Sequence, residues 1–211
     1  VSAQTCVGVL LAGGAARRFD GAPKGLARIE GVPIADRALA ALAEATDLQV
    51  VAINDPRGDA WFPGFRLVAD REPGLGPLAG LVTALRAGEG ASVLVVAWDM
   101  PFIPGALLRS LRQRGEAALA SDVPVHGAAS TAEPLCAYYR PECLGIAERL
   151  LATGERRARA LYEALMAVGA AVTMGDRELA RFGDPAHLFT SVDTPAALAR
   201  LGGEAPAATR R

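Results

Sequence analysis

Short aliphatic runs alternate with stretches of helical spacing along most of this chain, and that alternation leaves few folds open. Residues 6–11 read as a first strand, 34–45 as a helix with Pro33 at its entry, 48–53 as a second strand and 66–69 as a short third. A helix follows over 78–87, then a strongly apolar strand over 92–97, a helix over 104–113 and a strand over 117–121. Strands separated by helices need crossover connections, and these give an α/β fold: a mostly parallel sheet with helices on both faces. The second half is less regular. Residues 135–139 and 170–174 read as strands, and 141–152 and 156–168 as consecutive helices separated at Gly154. A short closing helix covers 195–201, and residues 202–211 read as a flexible tail. No repeat or linker divides the chain, so residues 1–201 are read as a single domain.

Composition agrees with that architecture. Hydrophobic residues make up 51% of the 211 residues but aromatics only 5%, so the core must be built mainly from Ala, Val and Leu. Such residues suit strands buried between two helical layers. A net charge of -1 with no basic stripe argues against nucleic acid as a partner. Cys6, Cys136 and Cys143 are odd in number and include no CxxC pair, so they read as small core residues in a reducing compartment. The apolar stretch 7–12 lacks a basic flank and runs straight into Gly13-Gly14, as a buried strand meeting a loop does. No run is long enough to span a bilayer. The expectations are no membrane, a cytoplasmic location, and a monomer or weak homo-oligomer.

In a parallel sheet, ligands bind beyond the carboxyl ends of the strands. The loop after the first strand reads Leu11-Ala12-Gly13-Gly14-Ala15-Ala16-Arg17-Arg18-Phe19-Asp20-Gly21-Ala22-Pro23-Lys24. Paired glycines let backbone N–H groups approach an anion closely. Arg17, Arg18 and Lys24 then add guanidinium and ammonium donors within one loop, the combination a triphosphate needs. Glycines alone would mean only a turn; with these cations a phosphate site is favoured. The loop lacks the Walker pattern, and Gly74 to Gly80 falls one residue short of a dinucleotide fingerprint, reading instead as a helix-entry loop. Asp99 follows the apolar run 93–97 and so belongs at the carboxyl end of a central strand, where a carboxylate can hold magnesium beside substrate phosphates. The bland alternative, a cap for the helix that follows, ranks below the metal role. Asn54 and Asp70 also end strands, and both types favour turns. His126 and His187 have no companion ligands and read as loop or packing residues.

The segment from Leu11 to Lys24 resembles the LAGGxxxRMGGxDK signature of the molybdenum cofactor guanylyltransferases. Four further pieces follow in order: Asn54, Asp70, Gly76-Pro77-Leu78-Ala79-Gly80, and Trp98-Asp99-Met100-Pro101-Phe102-Ile103-Pro104 beside the family's CDTPFLP stretch. Phe189-Thr190-Ser191-Val192-Asp193-Thr194-Pro195 is similar to its closing FxNxNTP. The resemblance implies a Rossmann-like three-layer α/β/α nucleotidyltransferase fold and a reaction joining GMP from GTP to the phosphate of molybdopterin. Carried over by position, Leu11, Ala12, Gly13 and Gly14 would contact the nucleotide, Asn54 and Asp70 the guanosine, and Lys24 the phosphates. Asp99 would bind magnesium, so Arg18, Lys24 and Asp99 are the candidate catalytic residues. Asp193 stands where the family has an asparagine. It is a second candidate magnesium ligand, weighed against a role as N-cap of the helix at Pro195. Asp20 and Pro23 also depart from the signature, and Asp20 sets negative charge beside the phosphate loop. The Asp-Thr-Pro form is similar to related cytidylyltransferases. That leaves two rivals: cytidylyl transfer to molybdopterin or a similar phosphorylated acceptor, and nucleotide binding without turnover. As a loop residue, Lys24 is expected to matter little for stability.

Overall fold

The structure is a computed structural model and describes residues 5–13, 23–118, 128–129, 133–171 and 173–206. In chain order its strands are β1 (Cys6–Leu11), β2 (Arg28–Ile29), β3 (Val32–Pro33), β4 (Leu48–Ala52), β5 (Arg66–Val68), β6 (Ser92–Ala97), β7 (Ala128–Ala129), β8 (Cys136–Tyr139) and β9 (Thr173–Met174). The helices are α1 (Ile34–Ala43), α2 (Gly58–Trp61), α3 (Pro77–Ala87), α4 (Gly105–Ala118), α5 (Cys143–Ala152), α6 (Ala158–Ala167), α7 (Asp176–Leu179), α8 (Pro185–Leu188) and α9 (Pro195–Arg200). Seven strands form one sheet in the order β5-β4-β1-β6-β8-β7-β9, and β2 pairs with β3 as a small separate ribbon.

β1 and β6 lie at the centre and are buried along their whole length. Their side chains alternate between two cores. Cys6, Leu10, Leu94 and Val96 pack with α1 and α4 on one face. Val7, Val9, Leu11, Val93 and Val95 pack with α3, α5 and α6 on the other. Both faces are covered, so these strands read as unbroken apolar runs without polar alternation. The result is the expected three-layer α/β/α arrangement. The sheet is parallel from β5 through β6, and β8 runs antiparallel to β6.

The structure corrects several element readings. The strand expected over 117–121 does not begin where foreseen, because α4 continues through Ala118; residues 119–121 lie outside the described residues. The strand expected over 170–174 shrinks to Thr173–Met174. Residues 202–204 are tied down: Glu204 exchanges backbone hydrogen bonds with Arg28 at 2.9 and 2.7 Å. The β2–β3 ribbon and the short helices α2, α7 and α8 were not foreseen, since segments of two to four residues carry no readable period. The three cysteines are buried, as expected of small core residues. Burial pushes the Cys6 and Cys143 thiols up to about 12. Among the described residues no helix is long and apolar enough to cross a membrane.

Candidate active site

The carboxyl ends of β1 and β6 lie side by side, with Leu11 opposite Ala97. The two chains then stay joined for one more residue, because the Trp98 N–H donates to the Leu11 carbonyl at 3.1 Å. Ala12 is bound on its other side, donating to the Ala52 carbonyl at 2.9 Å. Leu11 and Ala12 are therefore fixed in the sheet while Gly13 emerges exposed, with open space where a Cβ would project. Gly14, Arg17, Arg18 and Asp20 lie outside the described residues.

Lys24 opens a single 3-10 turn (Lys24–Leu26). The next residue explains how that turn is seated. A Cβ on Gly25 would come within 2.3 Å of the Trp98 ring, so only glycine lets the turn lie flat on the indole. Trp98 precedes Asp99, so the same contact brings Lys24 over the Asp99 carboxylate. The Lys24 ammonium donates to Asp99 Oδ2, and to Asp193 Oδ1 at 2.7 Å. The closing segment is held against this loop by the Val192 N–H, which donates to the Asp99 carbonyl at 2.9 Å. Asp99 is buried, whereas Asp193 is half exposed. Burial pulls the Lys24 ammonium towards deprotonation, but Asp99 and Asp193 outweigh it and hold its pKa above the ordinary lysine value. Burial likewise pushes the Asp193 carboxyl up, and the bond and charge of Lys24 overcome this to leave it below its ordinary value.

A second cluster sits two strands away. Asn54 Nδ2 donates to Asp70 Oδ2 at 2.8 Å, and the Asp70 N–H returns a bond to Asn54 Oδ1 at 2.8 Å. Thr83 on α3 donates to Asp70 Oδ1 at 2.5 Å. Both oxygens of Asp70 are thus oriented by the protein itself. The Gly76-Pro77-Leu78 entry to α3 docks on the α5–α6 connection, with the Leu78 N–H donating to the Arg156 carbonyl at 3.1 Å. Gly76 has φ of +84°, and a Cβ there would also meet the Arg156 carbonyl at 3.0 Å, which accounts for the glycine.

Of the residues expected from the sequence, the structure gathers Lys24, Asp99 and Asp193 at one point beside Leu11. Asn54 and Asp70 form the flank on the β4–β5 side. Two expectations change. Asp193 is not the cap of α9: the Thr194 hydroxyl takes that place, accepting from the Ala197 N–H at 3.1 Å. Lys24 is not a free loop lysine but a mostly buried one, bound to two carboxylates. His187 stacks on Phe102 with ring centroids 3.9 Å apart, a packing role, and His126 lies outside the described residues. Sequence reasoning missed Thr83, which carries no local signal. It also missed Glu133, a half-buried carboxylate at the entrance to β8 that lies within electrostatic reach of Asp99. No sequence signal could have found it, because its place at this edge depends on β8 running antiparallel to β6.

A glycine emerging at a strand end, near a lysine that joins two aspartates, on a sheet of this order, is how a Rossmann-like nucleotidyltransferase is put together, and comparison with known proteins agrees. Residues 8–170 match the family described as MobA-like NTP transferase domain. The chain is 35% identical over 165 residues to the molybdenum cofactor guanylyltransferase of Burkholderia ambifaria, covering 74% of this chain and 80% of that protein. It is 29% identical over 202 residues to the corresponding protein of Shewanella halifaxensis, covering 92% of each. Its structure superposes on that of molybdopterin-guanine dinucleotide biosynthesis protein A from Archaeoglobus fulgidus with a TM-score of 0.74 and 25% identity, covering 92% of this chain and 96% of that one. The chain belongs to the MobA-like NTP transferase family, and it is a nucleotidyltransferase.

Proposed function

We propose that this chain transfers GMP from GTP to the phosphate of molybdopterin and releases pyrophosphate. The observation that carries the reading is the convergence of Lys24, Asp99 and Asp193 beside the β1 loop, in a chain whose named relatives are molybdenum cofactor guanylyltransferases. In the reaction an oxygen of the acceptor phosphate bonds to the α-phosphorus of GTP. The bond from that phosphorus to its bridging oxygen breaks, and the electron pair leaves with pyrophosphate. The attacking oxygen is already anionic, so no side chain has to take a proton, and neither histidine is needed as a base.

We assign the nucleotide to the backbone of Leu11, Ala12, Gly13 and Gly14, the guanosine to Asn54 and Asp70, and the phosphates to Lys24 and Arg18. The Asn54–Asp70–Thr83 bonds orient the Asp70 carboxylate before any ligand arrives, which lowers the ordering cost of binding. Lys24, kept protonated by its two carboxylate neighbours, offers a fixed ammonium to phosphate oxygens.

Asp99 and Asp193 fit a magnesium ion. Both already close on one cation, the Lys24 ammonium, and hard carboxylate oxygens are the ligands magnesium takes. Among the described residues no third His, Cys, Asp or Glu joins them, so the remaining positions fall to phosphate oxygens and water. Bound there, magnesium supplies charge neutralisation at the α-phosphate and on the departing pyrophosphate. We place the protein in the cytoplasm, working as a monomer or weak homo-oligomer.

Pyrophosphate release measured with each of four nucleoside triphosphates, with and without molybdopterin, tests the reading. Release that requires both GTP and molybdopterin is the expected outcome. Release with CTP in its place would select cytidylyl transfer, and GTP binding without release would select a non-catalytic protein.

A further inference from the structure

The sheet order divides the site into two halves about Asp99. β1, β4 and β5, with Gly13, Asn54 and Asp70, lie on one side of β6. β8 lies on the other. Because β8 is antiparallel to β6, its entrance, not its exit, sits at the carboxyl edge where the chemistry is. The register fixes this: Val96 is opposite Cys136, and the Ala97 N–H donates to the Leu135 carbonyl at 2.8 Å. Glu133 is two residues further out, alongside the Trp98–Asp99 turn.

Glu133 is held there by its own connection. Its Oε1 accepts the Leu135 N–H at 3.2 Å and its carbonyl accepts the Cys136 N–H at 3.1 Å. It forms no ion pair with a described residue. The charges acting on it are Asp99, which repels, and Arg159, which attracts. It does not join Asp99 and Asp193 as a third ligand around one point. A half-buried carboxylate with lone pairs left over, within electrostatic reach of Asp99, can accept N–H donors from a ligand that reaches this side of the site. An anionic phosphate cannot supply them.

We propose that Glu133 recognises the acceptor, its carboxylate taking N–H groups of the acceptor's pterin ring while the acceptor phosphate stands at Asp99. This rests on the guanylyl-transfer reading and adds the residue that selects the acceptor. Glu133 is a binding residue, opposite the nucleotide half, and its charge also steers the acceptor: a phosphate presented to Glu133 is repelled, so the acceptor enters ring first on that side. A carboxylate accepting two N–H bonds is a charge-assisted contact, whose loss costs about tenfold or more in affinity.

The test compares the parent chain with Glu133→Gln by steady-state kinetics and by calorimetry with GTP and with molybdopterin. The expected result is a rise in KM and Kd for molybdopterin of about tenfold, with the Kd for GTP unchanged and kcat at saturating acceptor nearly kept. An unchanged KM for molybdopterin, or an equal loss of GTP affinity, overturns the proposal. Should Glu133→Gln fold poorly, Glu133→Asp decides: it keeps the charge with a shorter reach, and its KM for molybdopterin is expected to rise while GTP binding stays. A parent chain that binds molybdopterin but releases no pyrophosphate ends the guanylyl-transfer reading, and the calorimetric comparison then still decides Glu133. A parent that does not bind molybdopterin overturns both.

Discussion

Lys24 serves two carboxylates at once, so its removal unpairs both. Lys24→Ala is expected to lose roughly 1.5–3 kcal/mol of GTP affinity, the worth of an ammonium on phosphate oxygens; calorimetry that finds GTP binding unchanged would take Lys24 out of the site. The same variant is also expected to lower unfolding stability by about 1–3 kcal/mol, since Asp99 would be left buried opposite another carboxylate. That cost is invisible in the sequence, where Lys24 is only a cation in a glycine-rich loop. Asp193 and Thr194 separate cleanly. Asp193→Asn should raise the magnesium concentration needed for half-maximal rate without capping loss, while Thr194→Ala should cost roughly 0.5–2 kcal/mol of stability with magnesium dependence kept. The reverse pattern in a metal titration and a thermal melt would return the cap to Asp193. The sequence placed both residues at the entry to α9 but could not choose between them, because either side chain can reach the same N–H. The backbone settles it: Thr194 has the extended conformation of a capping residue and its hydroxyl points at Ala197.

Elements set the site through contacts between segments far apart in the chain. The 3-10 turn at Lys24 is pinned by the indole of Trp98, which leaves no room for a side chain at position 25. Gly25→Ala should therefore push the turn off Trp98 and weaken GTP binding although the residue touches no substrate; a variant with parental affinity and an intact Lys24–Asp99 pair would show that the turn can shift without cost. The direction of β8 matters as much. The apolar run 135–139 announces a strand, but nothing in it reveals whether the chain runs with β6 or against it, and only the antiparallel choice brings Glu133 to the edge that holds Asp99. α4 makes the opposite point: its helical pattern reaches past residue 113 to Ala118, and a short Ala-rich stretch there fits helix as well as strand.

The sheet as a whole is closed at its base, away from the site, by charge and hydrogen bonding. Asp47 accepts the Cys6 N–H at 2.8 Å and pairs with Arg112 at 3.1 Å, tying the start of β1 to α4. The Cys6 N–H leads in holding the Asp47 carboxyl below its ordinary 3.8, with Arg112 helping against the opposing effect of burial. A depressed carboxylate stabilises the fold above its unfolded pKa, and that stability is lost as pH falls through the folded value. The melting midpoint of the parent should thus exceed that of Asp47→Asn by a constant amount from about pH 5 upward and converge with it in acid. The difference should stay within about 1 kcal/mol because the side chain is half exposed; a gap that persists in acid would mean that the contact does not depend on ionisation. What the sequence alone determined was the layer architecture and the edge at which to look, since unbroken apolar runs between helical stretches fit a mostly parallel sheet covered on both faces. It also marked Lys24 and Asp99 by the combination of glycines, cations and a carboxylate after strands, and Asp193 by its place in the closing motif of the resemblance. Which of these meet was decided by tertiary structure. Lys24 and Asp193 are separated by 169 positions in the chain, and no local pattern encodes a contact that exists only once β1, β6 and the closing segment are packed together.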